Sequence, residues 1–357
     1  MAHDCGVDPT VVFGAFTAAL LVSAFASPFM GRTIDRLGGR PVMATGSLCA
    51  TAALLLLALA QGPVLLVAGW LLAGAAMAMT LYDPAFASLH RLRPATYRRA
   101  VTALTLWGGF ASTVFWPIAN GLQDAVGWRW TLAAFAAVHL FACLPIHLRV
   151  LPREERREPT VRGASDGPAR APAALFWLVA SFTTVGLIVG ALGVRLIDML
   201  QAGGLSAREA VWIGALIGPM QVLGRVLEFT VARHARAVHV GFASFGLMTL
   251  ATLVLLAFDH SLPVAVAAVV LYGMANGLNT IVQGIAPAEI IGGPGIGTLL
   301  GRIARPALVA RATAPFVASL VLAAPHGSVV LRTAFVVLAV GAGLAFAMAA
   351  RPAPPAR

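Results

Sequence analysis

The chain has 357 residues, of which 59% are hydrophobic and only 11% are charged. Soluble domains carry about 25% charged residues, so a surface this poor in charge cannot face water on all sides, and a water-soluble globular protein is excluded. The net charge is +11 and every basic residue is an arginine; because the arginines sit between apolar runs, the excess reads as membrane topology and not as a nucleic-acid-binding face.

The apolar runs, such as 48–60, are continuous and longer than the alternating ten-residue segments of a barrel, so they are expected to be helices. In chain order, spans are expected near 10–30, 42–60, 63–89, 100–123, 129–149, 173–200, 208–231, 239–258, 262–288, 299–324 and 329–350. The fold class is therefore all-α, a polytopic bundle of about eleven transmembrane helices. Before the first span, Asp4 and Asp8 stand without a basic stretch, so no signal peptide is read there. The connections alternate in charge. One set carries Arg32, Arg36 and Arg40, then Arg91, Arg93, Arg98 and Arg99, then the linker, then Arg233 and Arg236, Arg302 and Arg305, and the tail with Arg351 and Arg357. The other set, including 61–63, 124–129, 203–209, Asp259-His260 and Pro325-His326, is nearly neutral. The arginine-rich set is expected on the cytoplasmic side of a bacterial inner membrane, with the C-terminus inside and the N-terminus outside.

The polar stretch 151–172, with Arg153, Glu154, Glu155, Arg156, Arg157 and Glu158 among Gly and Pro, reads as a flexible cytoplasmic linker. It divides an N-terminal bundle, 1–150, from a C-terminal bundle, 173–351, as five spans and six. Cys5, Cys49 and Cys143 lack metal or disulfide spacing. No metal cluster, nucleophile elbow or phosphate loop is found, so neither an enzyme nor a cofactor is expected. Gly292 to Gly297 is glycine-rich but lies between spans with no strand before it, and reads as a loop.

The two halves share a local repeat. Gly31-Arg32-Thr33-Ile34-Asp35 follows the first span, and Gly224-Arg225-Val226-Leu227-Glu228 recurs 193 residues later, after the second span of the C-terminal half. Parallel repeats of six spans are an established transporter architecture.

The loop Gly31 to Arg40 resembles the signature of the major facilitator superfamily: Gly, three residues, Asp-Arg, one residue, Gly, then two basic positions. Gly31, Asp35, Arg36, Gly38 and Arg40 match, and Gly39 replaces the first of the two basic residues. The resemblance implies a two-bundle transporter in which Asp35, Arg36 and Arg40 form a charge network that stabilises one access state, with Gly224, Arg225 and Glu228 as its second copy. The other reading is that these charges only set topology. In the family the motif joins the second and third helices, whereas here one span precedes it. The first family helix is thus expected to be missing, with residues 1–9 resembling the external loop after it. Two further departures weigh against drug/proton antiport. Trp70 stands four residues before Gly74 where proton-coupled members carry Arg, and Trp116 to Gly121 replaces the paired-glycine antiporter stretch.

Ionisable groups inside a span are costly and are candidates by default. Arg311 is the most central, with Pro315 one turn later; a midplane guanidinium can hold a carboxylate by paired hydrogen bonds, or it is neutralised structurally or snorkels. Asp83, in Tyr82-Asp83-Pro84, is either a proton-binding carboxylate or a helix-end charge paired with Arg91 or Arg93. Arg225 and Glu228 are spaced as an i,i+3 pair on one helix face, and Arg195 and Asp198 repeat that spacing, as a rim ion pair or a binding group. Asn276, Asn279 and Gln283 form one polar stripe that either lines a cavity or bonds neighbouring helices. Gln221, Thr113, Trp107 and Trp116 are further cavity candidates, and His139 and His147 are read as packed or interfacial.

The expected function is secondary active transport of a small solute, a small organic anion by the position of Arg311, in symport with H⁺ by family analogy. The alternatives are efflux of drugs or amphipathic solutes, and a non-transporting sensor, scaffold or inactive fragment. The expected partners are the solute and the lipid bilayer, with no nucleic acid.

Overall fold

The computed structural model describes residues 1–154, 171–232, 234–258, 260–293 and 295–351. Most of the expected linker, together with Arg233, Asp259, Pro294 and the tail after Arg351, lies outside the described residues. Among the described residues there is no β-strand. Fourteen α-helices follow one another: α1 (Pro9–Leu37), α2 (Gly39–Ala58), α3 (Pro63–Thr80), α4 (Tyr82–Leu92), α5 (Tyr97–Gly109), α6 (Ala111–Val138), α7 (Leu144–Arg149), α8 (Ala171–Ala202), α9 (Ala207–Ala215), α10 (Ile217–Thr230), α11 (Ala237–Leu256), α12 (Leu262–Ile290), α13 (Ile296–Leu322) and α14 (Gly327–Ala350).

By length and apolarity these helices provide ten candidate membrane spans, one of them the 56-residue segment Pro94–Arg149. A span needs about 20 residues, and Gly127 breaks this segment with φ 80° and ψ 165°, a conformation open to glycine. The segment thus holds two passes, and the expected count of eleven stands. Two other spans are interrupted by proline. Pro84 cannot donate to the carbonyl of Thr80 and its ring crowds it, so the helix breaks at Leu81 (φ −80°, ψ −161°), between α3 and α4. Pro219 does the same to Ala215, the last residue of α9.

The chain forms two compact units. The first comprises the described residues within Met1–Ala95, Ala111–Thr160 and Pro294–Val309. Its helices pack through small residues, as expected where lipid removes any hydrophobic drive between helices. A Cβ on Gly74 would lie 2.2 Å from the Ala19 carbonyl oxygen, one on Gly69 2.8 Å from Leu57, and one on Gly46 2.6 Å from Thr80. At one end of this unit Cys5, Leu57, Ala60 and Leu66 form a small core covered by Trp70, Trp128 and Leu132.

The second unit comprises the described residues within Thr96–Phe110, Val161–Gly293 and Ala310–Arg357. Glycines again set the close approaches: Gly224 against Met274, and Gly273 and Gly277 against Ile217, Met220 and Gln221 fasten α10 to α12. Phe245 and Phe346 lie 4.9 Å apart between α11 and α14. The first stretch of this unit carries α5, and α13 divides between the units after Val309.

Candidate functional site

In the first unit, α1 meets the beginning of α13. A Cβ on Gly31 would sit 2.0 Å from the Gly297 carbonyl oxygen, and one on Gly301 2.5 Å from the Ser27 carbonyl oxygen. Only glycine at both levels lets the backbones touch. One turn after Gly31, Asp35 accepts hydrogen bonds from the Gly297 amide (2.9 Å) and from the amide and hydroxyl of Thr298 (2.7 and 2.6 Å). The two amides are orphan donors of the first turn of α13, and the positive end of a helix favours a carboxylate. Asp35 therefore works as an N-cap supplied by another helix.

The last carbonyls of α1 are satisfied as well. Arg91 of α4 donates from Nη1 to Ile34 O (3.2 Å) and Asp35 O, and from Nε to Glu154. Gly38 ends α1 with φ 83° and receives Glu154 against its open face. The expected network of Asp35 with Arg36 and Arg40 is not what the fold builds. Arg36 is the next residue on the helix and points away from Asp35, and it is exposed. The guanidinium that serves this corner belongs to Arg91.

The second copy has a related geometry in the second unit. Glu228 of α10 pairs with Arg98 of α5 at 2.7 Å, again reaching the first turn of a helix. Arg98 also donates to Ala232 O (3.0 Å), and Tyr97 donates to Gly284 O of α12 (2.7 Å). Arg225 reaches Thr105 O of α5 (3.1 Å) and the Thr280 hydroxyl (3.5 Å). The spacing of Arg225 and Glu228 suggested a pair along one helix; instead both fasten α5 to α10. Burial explains the choice, since Arg225 and Glu228 are 4% and 1% exposed and need cross-helix partners. Gly224 supplies the close approach to Met274.

The remaining candidates are dispersed. Arg311 is exposed about half-way along α13, where its backbone packs on Gly190: a Cβ there would lie 2.4 Å from Arg311 O. Nearer the end of α13, the Ser319 hydroxyl accepts from Nε (3.1 Å) and Nη2 (2.5 Å) of Arg195, which also pairs with Asp198 at 2.8 Å. Asp83 is half-buried in the first turn of α4, just after the break at Leu81, and makes no ion pair or hydrogen bond among the described residues. Tyr82 stacks on Phe86 at 5.5 Å. Asn279 is buried and its Nδ2 has no hydrogen-bond partner among the described residues, whereas Asn276, Gln283 and Gln221 are half-buried. Thr113, Trp107 and Trp116 are exposed on α5 and α6. His147 bonds the Ser47 hydroxyl at 2.9 Å, which is a packed position. Among the described residues no group of His, Cys, Asp and Glu could hold a metal.

Sequence reasoning missed Thr298, Arg98, Tyr97 and Ser319. Nothing in a single sequence announces a cap donated from another helix. The one usable signal was Gly297-Thr298 at a helix start with no acid of its own to cap it. In the sequence, Arg98 and Arg99 at the start of α5 stand out only as topological charges.

No curated protein matches the chain. The family model described as Major Facilitator Superfamily matches residues 1–289, most of the chain, including both Gly-Arg-x-x-acid segments. With eleven helical passes, this makes the protein an integral, multi-pass membrane transporter, and the chain belongs to the major facilitator superfamily.

Proposed function

We propose that the chain is a secondary active transporter of a small organic anion. Two helical bundles, residues 1–150 and 173–351, would alternate access in a bacterial cytoplasmic membrane, with the arginine-rich connections and the C-terminus inside. The observation that carries the anion reading is Arg311. It stands exposed in the middle of a membrane span, and no carboxylate pairs with it among the described residues. A charge at such depth is costly unless it has a use, and a guanidinium offers a planar two-donor face to a carboxylate. Asp83, in the discontinuity between α3 and α4, is the candidate carrier of a coupling H⁺. The Asp35 cap on α13 and the Arg98–Glu228 pair are the candidate latches of one access state. Both use the first turn of a helix, which must be released for α13 and α5 to move.

The test is counterflow in proteoliposomes with a panel of mono- and dicarboxylates. The expected result is exchange of at least one anion, lost in Arg311→Ala and mostly lost in Arg311→Lys, because Lys cannot reproduce the paired hydrogen bonds. Unchanged exchange in Arg311→Ala would remove the anion reading, and absence of counterflow for every solute would remove the transport reading of this chain.

A further inference from the structure

One stretch of the first unit is bare. Residues 111–126, the first part of α6, pack along one side, where Phe115 meets Phe135 with ring centroids 6.1 Å apart and Ala119 and Leu122 are half-buried. Of the described residues in this stretch none is buried. Its counterpart in the second half is covered. The two repeated acids grip Thr298 and Arg98, which are 200 residues apart, and Gly127 and Gly327, where the following passes begin, keep that separation. Residues 111–126 thus correspond to 311–326. There Ala312, Ala314 and Ala318 are buried, and α8 lies alongside: a Cβ on Gly190 would sit 3.0 Å from Ala314 Cβ, and Arg195 holds Ser319. A pass of this kind takes a helix against it.

The bare face is polar for a surface in lipid. Thr113, Pro117, Asn120 and Asp124 fall at i, i+4, i+7 and i+11, one stripe on the side of the helix opposite Phe115, Ala119 and Leu122, and all four are exposed. Thr113 lies near the middle of the pass that starts at Tyr97. Pro117 has no N–H for the Thr113 carbonyl, so a backbone acceptor is freed on this same face. Asn120 makes no hydrogen bond among the described residues. Asp124 stands at the nearly neutral connection, within reach of water. In hydrocarbon a freed carbonyl and an unbonded amide are satisfied by a neighbouring helix.

A second copy of the chain supplies what this face lacks. Every copy inserts with one orientation, so a two-fold axis along the membrane normal brings residue 113 to 113 and residue 120 to 120 at equal depth. An asparagine amide carries both donors and an acceptor and is its own complement. We propose that the chain forms a homodimer through residues 111–126. Asn120 of each copy bonds Asn120 of the other, and each Thr113 hydroxyl serves the freed carbonyl across the axis. The proposal is independent of which solute is carried.

The test uses the full-length protein twice. In membrane vesicles from expressing cells, Thr113→Cys and Asn120→Cys are oxidised, with the unaltered protein and its native cysteines as background. Expected are disulfide-linked dimers from both variants and none from Leu122→Cys, which lies on the packed side of the helix. In detergent, energy transfer between donor- and acceptor-labelled copies is followed as the detergent is raised. Expected is a dimer that dissociates on dilution, and whose dissociation constant rises at least about fivefold in Asn120→Leu, the worth of an interhelical polar contact. Asn120 is exposed, so this variant should keep its thermal midpoint; should it not fold, the crosslinks decide alone. A monomer at every detergent ratio, crosslinking of Leu122→Cys as strong as that of Thr113→Cys, or an unchanged dissociation constant in Asn120→Leu would overturn the proposal. Crosslinking of Thr113→Cys to a different polypeptide, and not to itself, would overturn it too, and would give the face to another protein's helix.

Discussion

Asp35 caps a helix to which it does not belong: its carboxylate holds the amide and the hydroxyl of Thr298 at 2.7 and 2.6 Å, across 263 residues of sequence. The bond is charge-assisted and directed at the positive end of α13. Asp35→Ala removes the two acceptor oxygens of three hydrogen bonds, from the Gly297 amide and the Thr298 amide and hydroxyl, and is expected to cost on the order of 2 kcal/mol. Asp35→Asn keeps one acceptor oxygen and should lose about half as much. Thermal unfolding in detergent measures both; equal loss in the two variants would count against the capping role.

The contact that allows this cap is backbone on backbone. Gly31→Val places a branched side chain where a single Cβ already lies 2.0 Å from Gly297 O. Overpacking of this kind costs about 1–3 kcal/mol or displaces the helices. Gly121 of α6 has nothing within 4 Å of its Cβ position, so Gly121→Ala should be neutral or stabilising by up to about 1 kcal/mol. The comparison of the two midpoints separates a steric requirement at Gly31 from a general intolerance of substitution.

Glu228 is almost wholly buried while Arg98 keeps 24% of its side chain exposed. Removing the exposed partner strands the buried charge, so Arg98→Leu should cost about 3 kcal/mol or more. The double variant Arg98→Leu with Glu228→Leu should recover a large part of that loss, since an apolar pair needs no compensation. A double-mutant cycle on unfolding supplies the coupling; additive losses would mean that the pair is not a unit.

At the opposite end of the first unit, Trp128 Nε1 donates to Asp4 Oδ2 at 2.5 Å, above the buried Cys5. This hydrogen bond, with a smaller contribution from His3, holds the Asp4 carboxyl below its ordinary value. A depressed folded value stabilises the docked N-terminus above the ordinary carboxylate range, and the contribution is lost as pH falls through the folded value. Asp4→Asn and Trp128→Phe should each speed labelling of Cys5 by a polar maleimide at pH 7. Labelling rates unchanged in both would show that the segment is held by its apolar core alone.

Much of this architecture is legible in the sequence. The eleven apolar stretches coincide with helical passes, because a membrane core demands about 20 apolar residues and internal hydrogen bonding of every pass; the exception is the expected loop Gly31 to Arg40, which is helix as far as Leu37, with only Gly38 between α1 and α2. The nearly neutral connection 124–129 divides the 56-residue segment 94–149 at the place where Gly127 breaks the helix. The two Gly-Arg-x-x-acid segments were recognised as equivalent, and both carry an acid that grips the first turn of a helix.

The partners of those acids were another matter. Neighbouring basic residues suggested Arg36, Arg40 and Arg225, since sequence proximity is the only proximity a single chain displays. Residues 35 and 36 lie about 100° apart on a helix and cannot face the same neighbour. Membrane class, the number of passes and the positions that carry charge are written in the order of residues, since all follow from transfer of side chains between water and lipid. Where each charge goes depends on the packed helices: Asp35 to the start of α13, Glu228 to Arg98, Arg91 to the end of α1, and Arg311 to no carboxylate among the described residues. Hydrogen bonds act over about 3 Å, and which groups come that close is settled by helix packing, through glycines whose role is invisible until two backbones meet.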